Sequence, residues 1–211
     1  MTLPAQMADR WACRPEPAPG EGTVYWHLLM RDHQQVIELA RQAQQRLAGF
    51  SGLHMTPLKW LHMTTLVAGP AALFSDHQLQ QMTRAAAEHL ADTPPITVSL
   101  GRILYHPEAI MLGVTPAQAL APIYEAAHAA TRTVLCSEEP SAGMEGWTPH
   151  ITFCYSTASQ PASPIIDALG LHMPSCDVEI DRLSLVIQHG PERDWSWTPV
   201  GNVRLTEPAS R

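Results

Sequence analysis

The sequence predicts an α+β fold made of two similar halves, each running β-α-β-α-β. Three observations predict it. Short alternating or β-branched runs punctuate the chain, apolar residues at helical spacing fall between them, and that order repeats once after a break near residue 107. With 211 residues, 45% of them hydrophobic, the chain can bury one core shared by two small lobes.

The elements follow in order. Residues 1–22 are rich in Pro, Ala and Gly, show no periodicity and are expected to form a flexible arm. Residues 23–30 (TVYWHLLM) are β-prone and read as a strand. Asp32 can cap a helix in which Val36, Ala40, Ala43 and Leu47 recur, stopped by Gly49. Residues 58–68 (LKWLHMTTLVA) read as a strand that Gly69-Pro70 ends. Ser75 with Gln78 makes a capping box for a helix marked by Leu79, Met82, Ala86 and Leu90. Thr93-Pro94-Pro95 breaks it, and residues 96–105 form the third strand.

The second half begins with a strand at residues 109–114. Thr115-Pro116 with Gln118 is a helix-start pattern, continued by Leu120, Ile123, Ala127, Ala130 and Val134. A polar loop, SEEPSAGMEG, follows and is either a lid or a long connection. Residues 150–155 (HITFCY) form a strand and 165–169 a short helix. Residues 178–188 (VEIDRLSLVIQ) read as one alternating strand, and residues 195–206 as a last strand or hairpin. The expected organisation is an arm over 1–22, one domain over 23–206 with lobes at 23–106 and 107–206, and a frayed tail over 207–211.

The bulk numbers narrow the function. The formal net charge is −7 with only 13 Lys and Arg, so the basic face that grips long nucleic acid is not expected. A small phosphorylated ligand or an RNA end fits better than a long duplex. No apolar run is long enough to span a membrane, and the first residues lack a signal-peptide pattern, so a cytoplasmic location is expected. The four cysteines form no C-x-x-C pair and are expected as free thiols. The 11 histidines offer no compact ligand set, which argues against a histidine-rich metal protein, and neither metal nor cofactor is expected.

Two strands carry the same signature at equivalent places: His62-Met63-Thr64 and His150-Ile151-Thr152, 88 positions apart. Alternation puts His62, Thr64 and Leu66 on one face of the first strand. It likewise puts His150, Thr152 and Cys154 on one face of the second, with Ile151, Phe153 and Tyr155 toward the core. A histidine and a hydroxyl so placed lie roughly 6–7 Å apart, enough to surround one phosphate. Hydrolysis of a phosphodiester needs a base to deprotonate water and an acid to protonate the leaving oxygen. Histidine suits both because its ordinary pKa lies near neutral.

The paired H-x-T motifs, the pseudo-repeat and the length resemble the two-histidine (2H) phosphoesterase superfamily, which includes 2′-5′ RNA ligase-like proteins and cyclic nucleotide phosphodiesterases. The segments that carry the resemblance are WLHMTTLVAG and WTPHITFCY, and it extends over roughly residues 23–206. The family pattern is histidine, any residue, Thr or Ser, then an apolar residue, twice. The second motif fits fully, whereas Thr65 departs from the first. The resemblance implies a bilobal, pseudo-two-fold fold with antiparallel-rich sheets around a central groove. It makes His62 and His150 catalytic, the first as acid and the second as base, with Thr64 and Thr152 on the phosphate. The implied activity is ATP- and metal-independent hydrolysis of a 2′,3′-cyclic or related nucleotide or RNA-end phosphodiester, which run backward would join ends by a 2′-5′ bond. A monomer is expected. The competing expectation is a binding or scaffolding module of the same fold with little turnover.

Other residues are weighed around this pair. His54-Met55-Thr56 copies the motif but precedes Pro57 and has no mirror in the second half, so it is set aside. Residues 171–173 (LHM) precede Pro174 and read as a loop. A phosphate groove wants a cation, and Arg102 and Arg182 open similar strands in the two halves. Tyr25 and His27 share a face of the first strand and are candidate lining residues. Trp147 and Tyr155 flank the second motif and could stack on a base or simply pack. Cys154 lacks an adjacent base and is not expected to act as a nucleophile.

Overall fold

Runs of β-branched and aromatic residues become strands and the apolar helical repeats become helices, much as their periods dictate. The computed structural model describes residues 2–14, 18, 21–135, 144 and 146–206. In chain order its elements are β1 (Gln6–Met7), β2 (Gly22–Leu29), α1 (Gln34–Leu47), β3 (Leu53–Met55), β4 (His62–Pro70), α2 (Asp76–His89), β5 (Ile96–His106) and β6 (Ala109–Thr115). There follow α3 (Ala121–Leu135), β7 (His150–Ser156), β8 (Gln160–Pro161), α4 (Ser163–Leu169), β9 (His172–Ile180), β10 (Arg182–His189) and β11 (Trp197–Arg204). None of the described helices is long and apolar enough to cross a membrane.

The fold is α+β, and its pairings are antiparallel. One sheet has the order β11-β10-β2-β4, and a second the order β3-β7-β6-β5-β9. Helices α2 and α3 cover the four-stranded sheet, while α1 packs on the five-stranded one with α4 beside it. Helix α1 turns Val36, Leu39, Ala40, Ala43 and Leu47 inward. Trp26, fully buried in β2, donates from Nε1 to Thr131 Oγ1 at 3.0 Å and so ties the first sheet to α3. The capping box of Ser75 and Gln78 forms as its spacing predicts.

Each sheet draws strands from both halves of the chain. β3 and β5 of the first half join the second sheet, and β10 and β11 of the second half join the first. The two sheets therefore do not follow the lobes expected at 23–106 and 107–206. The expected single strand at 178–188 is two strands separated at Asp181, where the chain passes between sheets. The apolar pattern shifts at the break, from Val178 and Ile180 at even positions to Leu183, Leu185 and Ile187 at odd ones, and β10 is buried on both faces, Ser184 and Val186 included.

Smaller departures have local causes. Residues 171–173 are not a loop, because β9 begins at His172 and runs through Pro174 along the sheet edge. His33, not Asp32, precedes α1, with no side-chain cap. Thr115 ends β6 rather than capping a helix, and a 3-10 turn over Ala117–Leu120 intervenes before α3. The described part of the N-terminal arm is docked rather than loose. β1 pairs with β8, Met7 is buried, and the backbone amides of Ala8 and Arg10 donate to Pro107 O and Ser156 O. Most of the SEEPSAGMEG loop and the 207–211 tail lie outside the described residues.

Candidate active site

The two motif strands meet across the sheets. β4 lies at the edge of the first sheet and β7 is second from the edge of the other, and they pack along a groove. His62 and His150 are the first residues of these strands. Each is held by the carbonyl two residues earlier: His62 Nδ1 donates to Trp60 O at 2.8 Å, and His150 Nδ1 to Thr148 O at 2.7 Å. A carbonyl can only accept, so Nδ1 carries the hydrogen in both rings. That leaves Nε2 of each as the nitrogen able to take or give a proton.

The strands share a second device. In β4, Leu66 and Thr64 lie opposite the consecutive residues Trp26 and His27, so Thr65 is an extra, bulged residue. In β7, Cys154 and Thr152 lie opposite Ile110 and Met111, so Phe153 is the matching bulge. The bulge shifts the alternation one residue after each threonine. Val67 and Tyr155 consequently line the groove, while Leu66 and Cys154 pack into the core. This corrects the expected placing of Leu66 and Cys154 on the groove face and of Tyr155 toward the core. Burial pushes the Cys154 thiol up to about 12, so it stays protonated and unreactive.

The groove holds a cavity of about 580 Å³ lined by His62, Thr64, His150, Thr152, Tyr25 and Trp147, among others. The histidine and threonine pairs therefore open on one space, as alternation predicts for the first three residues of each motif. Trp147 also bridges the two motif strands, donating from Nε1 to Thr64 O at 3.2 Å. His27 does not line the cavity. It is fully buried behind His62, with ring centroids 4.3 Å apart, and Tyr25 stacks on it at 4.9 Å. Arg102 and Arg182 are not groove cations. Arg102 lies two strands from β7 in the row His150, Gly113, Arg102, and lines a separate hollow with Leu171 and His172. Arg182 lines another cavity with Arg31 and Asp181. The motif copy is also outside: His54 Nε2 contacts Arg193 O at 2.9 Å and its ring meets Trp11 edge-on.

Sequence reasoning missed further contributors. Arg10 and Arg14 of the N-terminal strap line the cavity, as does Glu192. Arg10 bonds Glu192 and Glu108, partners 182 and 98 positions away, a separation no local pattern could reveal. Trp195 packs against His62 with centroids 4.5 Å apart. It has φ of 44°, a costly conformation for a bulky side chain that concentrates at functional sites.

Burial governs the electrostatics. It lowers the pKa of His62 to about 4, helped by the neighbouring His150 and opposed by the bond to Trp60. Burial also lowers His150, with Arg10 and His106 acting the same way and the Thr148 bond opposing. His27 is held far below the ordinary value by burial and by His62. The two groove imidazoles are thus neutral at neutral pH. Among the described residues, no three His, Cys, Asp or Glu side chains come together as metal ligands.

The family described as the 2′-5′ RNA ligase superfamily matches residues 31–192. No curated protein matches the chain. Among solved structures, TT0787 of Thermus thermophilus shares 18% identity, covering 88% of this chain and 98% of its own, with a TM-score of 0.61. LigT of E. coli complexed with 3′-AMP shares 14% identity, covering 89% and 99%, with a TM-score of 0.64. The conserved protein ATU0111 of Agrobacterium tumefaciens shares 15%, covering 92% and 86%, with a TM-score of 0.51.

Proposed function

The chain belongs to the 2′-5′ RNA ligase superfamily, and on that premise we propose that it hydrolyses a 2′,3′-cyclic or related nucleotide phosphodiester with His62 and His150. Membership supports a phosphoesterase-type function. One observation carries the finer reading: two histidines at repeat-equivalent positions are anchored alike through Nδ1, and both open on one cavity with a threonine beside each.

A bound phosphodiester anion favours the protonated form of a nearby imidazole, which supplies the acid that two neutral rings lack. His150 Nε2 takes a proton from water, and the water oxygen attacks phosphorus. The bond from phosphorus to one ribose oxygen breaks, and that oxygen takes a proton from His62 Nε2. The division into acid and base follows the family resemblance. Thr64 and Thr152 donate to the non-bridging oxygens, and Trp147 and Tyr155 offer aromatic surface to the nucleoside. With the 5′-hydroxyl of an RNA end in place of water, the same two proton transfers would form its bond to phosphorus and break the bond to the 3′-oxygen of the cyclic ester, leaving a 2′-5′ linkage. The structures of E. coli LigT with 3′-AMP, ATP, NADP+ and phosphate favour small nucleotides as ligands for a groove of this fold.

The test is ³¹P NMR of purified protein with 2′,3′-cyclic AMP, with and without EDTA. The cyclic ester should convert to one phosphomonoester isomer at the same rate in both samples. If cyclic nucleotides and cyclic-ended oligonucleotides stay intact while still binding, the protein is a binding module. Loss of turnover in EDTA would refute the metal-free mechanism.

A further inference from the structure

We propose that Arg10, carried on the N-terminal strap, is a binding residue for the substrate phosphate in the groove, an inference that rests on the phosphodiester reading above. A phosphodiester carries a full negative charge, and the groove's hydroxyls and neutral imidazoles carry no positive one. Among the described residues lining the cavity, the permanent cations are Arg10 and Arg14. Arg14 stands at the rim with its side chain 45% exposed, whereas Arg10 is 16% exposed.

Arg10 is held in advance of any ligand. Its Nε and Nη2 donate to Glu192 Oε2 at 3.0 and 2.8 Å, and its Nη1 to Glu108 Oε2 at 3.1 Å. These three bonds leave two of the guanidinium's five N–H donors unspent. The group also lies over the Tyr155 ring, 4.9 Å from its centroid, on the groove face that the β7 bulge creates. Its backbone amide donates to Ser156 O, at the end of the strand that begins with His150. The strap is thus fastened to the motif strand itself. Glu108 and Glu192 offset the charge of Arg10 at long range, so its contribution is short-range hydrogen bonding to the anion rather than general attraction. The family match begins at residue 31, so this contribution lies outside the matched region.

The experiment is calorimetric titration with adenosine 3′-monophosphate, alongside kinetics on 2′,3′-cyclic AMP, for wild type, Arg10→Gln, Arg10→Lys and Arg102→Gln. Arg10→Gln should weaken nucleotide binding about 10- to 100-fold and raise KM more than it lowers kcat. Arg10→Lys should recover part of the loss, because it keeps the charge but not the planar fork. Arg102→Gln removes the same charge outside the groove and should bind as wild type does. If Arg10→Gln fails to fold, Arg10→Lys decides: several-fold weaker binding supports the assignment and equal binding overturns it. Wild-type affinity in a folded Arg10→Gln, an equal loss in Arg102→Gln, or no binding by the wild type would also overturn it. Arg10-dependent binding without any hydrolysis would leave the anion site standing and defeat the phosphodiesterase reading instead.

Discussion

Replacing either groove histidine with alanine should lower kcat on 2′,3′-cyclic AMP by about 10²–10⁴, the usual worth of one positioned proton transfer. On the proposed mechanism the effect belongs to kcat, because Thr64, Thr152 and the aromatic residues that line the cavity would still hold the nucleotide, so KM should move only a few-fold. The double replacement should be little worse than the poorer single one, because the two imidazoles act on one ester and neither step proceeds without the other. His62 is packed by His27, Trp195 and Trp197, with ring centroids 4.3, 4.5 and 5.1 Å away, so its removal opens a void as well. His150 is less enclosed and gives the cleaner readout. Steady-state kinetics checked against each variant's thermal unfolding separate the two effects. Near wild-type kcat in a folded His150→Ala would remove that histidine from the chemistry.

The second large effect is on pH. The proposed mechanism needs one imidazole protonated and the other neutral, so kcat/KM should be bell-shaped, with limbs set by the free-enzyme pKa values. Burial holds both below the ordinary histidine value of 6.5, His62 at about 4. The charged groups that act on them, His150 on His62 and Arg10 and His106 on His150, push in the same direction, while the bonds to Trp60 O and Thr148 O oppose it. The optimum should therefore lie on the acid side of 6.5. Above it kcat/KM should fall about tenfold per pH unit, or about 100-fold over two units. Stability carries its own pH dependence. His27, His62 and His150 all have folded-state values below their unfolded ones. Their contribution to stability is thus fully present above about 6.5 and is lost as pH falls through the folded values. The alkaline limb, where the fold is at full strength, is the one to measure. A plateau extending to pH 8 would contradict the neutral, buried pair.

The fold was legible in the sequence wherever a signal is local. The Ser75 and Gln78 box, the apolar face of α1 and the two H-x-T strands all depend on residues a few positions apart. The repeat also brought His62 and His150 together, because equivalent strands in two related halves face each other across the groove. What escaped is non-local or breaks a period. The exchange of β3, β5, β10 and β11 between sheets is a pairing choice that no single strand encodes. The bulges at Thr65 and Phe153 defeat strict alternation, and so misplaced Leu66, Cys154 and Tyr155. Arg102 and Arg182, the expected groove cations, line other cavities, and Arg10 and Arg14 line the groove instead. Arg10 sits in an aperiodic segment, and its glutamate partners lie far along the chain. A shift of the apolar pattern at Asp181, from Val178 and Ile180 to Leu183, Leu185 and Ile187, was present in the sequence, and it accompanies the break into two strands.

The pairing of the two histidines on one phosphate is open to direct sight in a crystal structure with adenosine 3′-monophosphate bound. The phosphate should lie within about 2.6–3.2 Å of Nε2 of both His62 and His150, with the hydroxyls of Thr64 and Thr152 on its free oxygens. A phosphate that touches only one of these histidines, or a nucleotide seated instead in the cavity beside Arg31 and Arg182, would contradict it.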